Sequence, residues 1–166
     1  VTIYKVSIWE KAVWKDLAYS YNGRKLIIAL GNTKTKKDTF KLFVGYTANP
    51  DSVLAEGGSA ISGAQGLYFI NGKSEPGGFM PQFWTQGEPE SNSAWFPVVD
   101  KPNEKITHEI AMTVDSSWTT LSNGSIEFAT ENGDGTRTDY WSMNQPHAPY
   151  LVMMAAGEFH TTTEKW

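Results

Sequence analysis

The sequence predicts an all-β domain: antiparallel strands arranged as a β-sandwich or as curved, saddle-like sheets, with little helix. Three observations carry this. Apolar residues recur with a period of two, as in Thr39–Tyr46 and Lys105–Val114. Turn signals, Asn-Gly pairs above all, separate short runs at intervals of ~8–12 residues. No long stretch keeps the 3.6-residue period of an amphipathic helix.

The elements follow in order. Val1 already lies within a strand-like pattern, and Glu10–Leu17 suits one or two helical turns. Tyr19–Arg24 places Asn22-Gly23 just before the apolar run Lys25–Leu30, which predicts a hairpin. The run closes at Gly31-Asn32. Thr39–Tyr46 alternates on Phe40, Leu42, Val44 and Tyr46, with Phe43 on the other face. Lys34–Lys37 separates these two runs and suits the solvated tip of a second hairpin. Leu54–Gly63 is a Gly/Ser/Ala loop. Gly66–Ile70 is a strand ending at Asn71-Gly72, and Phe79–Thr85 is another. Lys105–Val114 alternates on Ile106, His108, Ile110, Met112 and Val114. Trp118–Leu121 leads to Asn123-Gly124. Ser125–Thr130 and Thr136–Met143 flank the turn Asn132-Gly133-Asp134-Gly135. Tyr150–Ala156 is apolar, and Glu158–Thr163 continues extended.

The bulk numbers bound the function. A chain of 166 residues with 40% hydrophobic and 19% charged residues is globular in composition and fits one domain, residues 1–166. With 14 basic against 18 acidic residues, its formal charge of −4 opposes general nucleic-acid binding, which needs a basic face. There is no cysteine, which excludes disulfides and thiolate metal sites and leaves the compartment open. No apolar run approaches the ~20 residues of a membrane span, and no signal peptide is present. Both ends read as cuts within a longer chain.

Catalytic motifs are scarce. His108, His147 and His160 are the three histidines. His108-Glu109-Ile110-Ala111-Met112 begins like the zinc-peptidase motif H-E-x-x-H, but Met112 stands where the second His belongs. On a strand the two positions would lie about 13 Å apart rather than one helical turn. No G-x-S-x-G elbow and no phosphate-binding glycine loop occurs. The acidic turn Asn132–Gly135 lacks the spacing of a calcium loop. Asn123-Gly124-Ser125 fits a glycosylation sequon and a turn equally.

The richest segment is Trp84–Pro102: polar, then aromatic, then punctuated by proline. It is predicted to be a loop held by Trp95 and Phe96 in the core, and loops on rigid scaffolds are where binding residues concentrate.

This segment resembles the N-terminal domain signature of the M1 zinc aminopeptidases, approximately T-Q-x-E-P/A followed by F-P-C-x-D-E-P and Lys. Thr85, Gln86, Glu88, Pro89, Phe96, Pro97, Asp100, Pro102 and Lys105 fall in register. Thr120–Gly124 is similar to the family's L-S-N strand end. Pro149–Leu151 through Gly157–Phe159 is similar to its last strand, and Gly66–Tyr68 to an earlier one. The departures are Ser93 for an arginine, Val98 for a cysteine and Lys101 for an acid.

The resemblance implies a non-catalytic β domain whose first strands are missing and whose zinc-bearing catalytic domain lies downstream, absent from this chain. It implies no metal and no catalytic residue in the chain itself, which alone would be inactive. It implies that Gln86 helps hold the free α-amino end of a peptide in the full-length enzyme, while the domain packs on its own catalytic domain. A side-chain amide oxygen suits an ammonium donor. Glu88 would add negative charge nearby. Asp100 is expected to accept hydrogen bonds from loop N–H groups. Two other classes stay open: a carbohydrate-binding β-sandwich module, which a flat exposed row of aromatic rings would favour, and a structural spacer domain.

Overall fold

A computed structural model describes residues 1–50, 66–71, 76 and 78–165, so the expected loop Leu54–Gly63 lies outside the described residues. The described residues form twelve strands with short 3-10 turns, and every strand pair is antiparallel. The chain divides into two compact units, residues 1–49 and 50–166.

In the first unit, β1 (Thr2–Glu10) is flanked by β2 (Val13–Asp16) and β5 (Leu42–Thr47), while β3 (Tyr19–Tyr21) and β4 (Leu26–Ile28) pair with each other. The expected helical turns over Glu10–Leu17 are instead the β1–β2 hairpin. Lys11 and Ala12 both have positive φ, 49° and 63°, and a two-residue hairpin loop of that hand matches strand twist. Glu10 then faces Val13, and Trp9 faces Trp14. Val6 and Ile8 point to the buried face, at 1% and 2% exposure.

The Asn22-Gly23 hairpin forms as expected. Asn22 Oδ1 accepts from the N–H groups of Arg24 and Lys25, and Gly23 takes φ 92°. The second expected hairpin does not form. β4 pairs with β3 and β5 with β1, so Lys34–Lys37 lies on a crossover between two sheets. Apolar patterning fixes which residues form strands but not which strand each one pairs with, and β5 pairs with β1. Lys36 and Lys37 are exposed there, as a solvated segment requires.

The second unit holds two sheets, β10-β11-β8 and β6-β7-β12-β9. Their strands are β6 (Leu67–Ile70), β7 (Gln82–Thr85), β8 (Ile106–Asp115), β9 (Thr119–Ser122), β10 (Ser125–Glu131), β11 (Thr136–His147) and β12 (Met154–Gly157). β8 buries alternate residues, so Met112 and Val114 join Ala156 of β12 in the core, with Phe83, Trp118, Trp141 and Met154 packed against them. That cluster draws from both sheets, which is how two antiparallel sheets exclude water. The β10–β11 turn is closed by Asp134, whose Oδ1 accepts from the N–H and hydroxyl of Thr136. The acidic turn therefore spends its carboxylate on its own backbone.

Several boundaries shift: β5 begins at Leu42 rather than Thr39, β7 at Gln82 rather than Phe79, and β11 runs on to His147. Tyr150–Ala156 opens as a 3-10 turn, Pro149–Leu151, before β12 begins. Residues 158–165 form no strand.

Candidate functional site

Gln86 follows the last residue of β7. Its N–H donates to the Gly66 carbonyl at 2.9 Å, which fixes the backbone where the strand ends. Its side chain is partly exposed, and among the described residues nothing hydrogen-bonds its amide. Gly87 is buried and Glu88 is exposed. Ser91 N–H donates to the Gly87 carbonyl at 2.8 Å, turning the chain back on itself. Lys101 pairs with Glu90 at 2.7 Å across the same loop.

Thr85–Glu88 forms one wall of a small cleft of about 150 Å³, and Tyr150–Met153 forms the other. The second wall is held through its own backbone and that of the residues flanking it. Met154 N–H donates to Thr85 Oγ1, Met153 N–H to Asn123 Oδ1, and Ser122 Oγ donates to the Met153 carbonyl. The Pro149 and Val152 carbonyls accept from Asn92 Nδ2 at 2.7 and 2.9 Å. Asn123 is thereby occupied by structure, whatever its sequon.

The sequence places the Trp95 anchor correctly: it is buried, its ring centroid 4.4 Å from that of half-buried Phe96. Asp100 Oδ2 accepts from the Ser93 N–H at 2.8 Å, the structural acceptor role expected of it. Asn92 was not singled out in the sequence. Between Ser91 and Ser93 an amide reads as solvated, yet it is fully buried.

His108 and His147, 39 positions apart, are brought together by the β8–β11 pairing, with ring centroids 5.0 Å apart. Both nitrogens of His108 and Nε2 of His147 are buried without a hydrogen-bond partner. Burial, with the neighbouring ring second, holds the His108 pKa below the usual imidazole range. Among the described residues no three of His, Cys, Asp and Glu are grouped to hold a metal. The side chains described therefore do not fit a catalytic zinc, which needs three protein ligands.

Exposed aromatic rings do occur. Trp9, Trp14 and Phe43 are each 41–47% exposed, but Trp14 meets the other two edge-on at 60° and 62°. They form a cluster of edges and faces rather than a flat row.

The model of the peptidase M1 N-terminal domain matches residues 3–151. The chain belongs to the M1 peptidase N-terminal domain family. This M1 domain is 26% identical over 136 residues to leucine aminopeptidase 2 of the yeast Vanderwaltozyma polyspora, an alignment covering 82% of the chain and 18% of that protein. Its fold is similar to an M1 zinc metallopeptidase of Deinococcus radiodurans solved with a Tyr-Ser-Ala substrate: TM-score 0.70, 17% identity, 93% of this chain and 32% of that one. It is similar also to aminopeptidase A of Legionella pneumophila in complex with aspartic acid: TM-score 0.69, 19% identity, 94% of this chain and 16% of that one. The M1 domain thus spans about a sixth to a third of the length of these proteins.

Proposed function

We propose that this M1 domain is the accessory, substrate-orienting domain of a zinc aminopeptidase, and that Gln86 holds the free α-amino end of the peptide. The observation that carries the reading is a partly exposed amide without an internal partner, at a strand end on the rim of a cleft. An exopeptidase must find an ammonium group, and an amide oxygen accepts its N–H donors. Fixing that end sets the scissile carbonyl relative to the reacting groups. Exposed Glu88, two residues on, adds a negative charge beside the amide. The zinc belongs to the catalytic domain of the parent enzyme, on which this domain packs. No step is assigned to a metal held by this chain, which alone is inactive.

The test is Gln86→Ala in the full-length enzyme, assayed on peptides with a free N-terminus. Losing a hydrogen bond to a charged group, about 1.5–3 kcal/mol, lowers kcat/KM by about 10–150-fold. Stability should change by ~0.5 kcal/mol or less, because among the described residues the amide has no internal hydrogen bond to lose. An unfolded domain whose folded fraction stays fully active would show a structural amide instead.

A further inference from the structure

We infer that Asn92 is a positioning residue for Gln86: it clamps the two walls of the cleft together and sets how far the Gln86 backbone stands from the opposite wall. This rests on the reading of Gln86 given above.

The Asn92 side chain is completely buried, and three of its hydrogen-bonding positions are matched. Nδ2 donates to the carbonyls of Pro149 and Val152, and Oδ1 accepts from Trp95 Nε1 at 2.8 Å. The orientation of the amide is fixed by its neighbours. Two carbonyls can face only the NH₂ group, and an indole N–H can face only the oxygen. Trp95, itself buried, in turn locks the rotamer.

The first wall rests on the same amide. A Cβ at Gly87 would lie 2.5 Å from both Cγ and Nδ2 of Asn92, and 2.4 Å from the carbonyl oxygen of Tyr150. Only glycine lets the backbone next to Gln86 come this close. Asn92 therefore bonds to one wall and bears directly on the other. The Met154 N–H to Thr85 Oγ1 bond ties the walls on the other side of Gln86, so Asn92 sets the spacing on the Gly87 side. Moving this contact by a fraction of an ångström moves the Gln86 amide relative to whatever sits in the cleft, and misplacing an orienting group by 1 Å costs about 10²-fold in rate.

A merely structural Asn92 would lower stability without depending on Gln86. The deciding experiment is a double-mutant cycle in the full-length enzyme, reading kcat/KM well below the melting temperature of each variant. Asn92→Ser keeps a small polar side chain but cannot span both carbonyls. Expected is a fall of about ten-fold or more in the native background and less than about two-fold further in the Gln86→Ala background, since residues acting through one contact are not additive. Equal losses in both backgrounds, or no loss in the native one, would overturn the inference. If Asn92→Ser does not fold, Trp95→Phe takes its place in the cycle, removing the indole N–H that orients the Asn92 amide, with the same criteria. If Gln86→Ala alone leaves kcat/KM intact, the reading of Gln86 fails first, and this inference falls with it. Additivity beside an impaired Gln86→Ala variant removes only the role of Asn92.

Discussion

Arg137 lays its guanidinium against Asp139, two residues along β11, with Nε to Oδ1 at 2.7 Å and Nη2 to Oδ2 at 2.9 Å. The remaining Arg137 donors reach the carbonyls of Ser116 and Trp118, and the Thr120 hydroxyl donates to Asp139 Oδ2 at 2.6 Å. Asp139 is 2% exposed. The guanidinium, then the Thr120 hydroxyl, holds its carboxyl below the usual carboxylate range against the opposing effect of burial. Asp139→Ala leaves a cation facing the core. Breaking a buried pair in this way costs about 3–5 kcal/mol, and because Arg137 keeps some solvent we expect about 3. A urea midpoint unchanged from the native chain would refute this.

The same pair sets an acid limit. The folded carboxyl of Asp139 binds its proton more weakly than the unfolded one. Its contribution is therefore present above about pH 4, the unfolded value, and is lost as pH falls through the lower folded pKa. Urea titrations from pH 6 to pH 3 should show a steeper loss in the native chain than in Asp139→Ala.

His108 acts at a higher pH with the same preference for the deprotonated form, which here is the neutral ring. Its folded pKa is lowered, so the unfolded chain takes up the proton first, and stability declines as pH falls below about 6.5. The neighbouring His147 ring, 5.0 Å away, adds to the cost of charging His108. In His108→Leu the loss of stability between pH 7.5 and pH 5.5 should shrink. An unaltered pH profile would mean that the ring is hydrated in solution.

Gly66 has φ 73°, and a Cβ there would lie 2.1 Å from the Ser91 carbonyl oxygen. Gly133 has φ 81° with open space around it. Gly133→Ala should cost only the left-handed strain, about 1–2 kcal/mol. Gly66→Ala should cost clearly more, since backbone must move at the strand end that carries Gln86. Equal thermal shifts for the two variants would contradict this contact.

The edge-on Trp9, Trp14 and Phe43 cluster predicts structure rather than sugar stacking. Trp14→Ala removes two aromatic pairs worth about 0.5–1.5 kcal/mol each and should loosen the first unit. Affinity electrophoresis through soluble polysaccharides should show no retardation. Retardation abolished by Trp14→Ala would instead favour a carbohydrate-binding module.

By itself the sequence determined the strand class, most strand positions and the turns at Asn22-Gly23, Asn123-Gly124 and Asn132-Gly133, because side-chain alternation and left-handed glycines are local properties, while the expected Asn71-Gly72 turn reaches outside the described residues. It also marked the Trp95 anchor, through the order of residues in one loop, whereas the roles of Gln86 and Glu88 remain proposals. Pairing beyond the Asn-Gly hairpins was decided only by tertiary structure. The Lys11-Ala12 turn carries no glycine to announce it, and the partner of β5 is β1, more than thirty residues upstream. The same holds for contacts that depend on register: His108 beside His147, and Asn92 beneath Gly87. Each joins residues whose own segments look ordinary, and burial changes their chemistry only once the chain has closed around them.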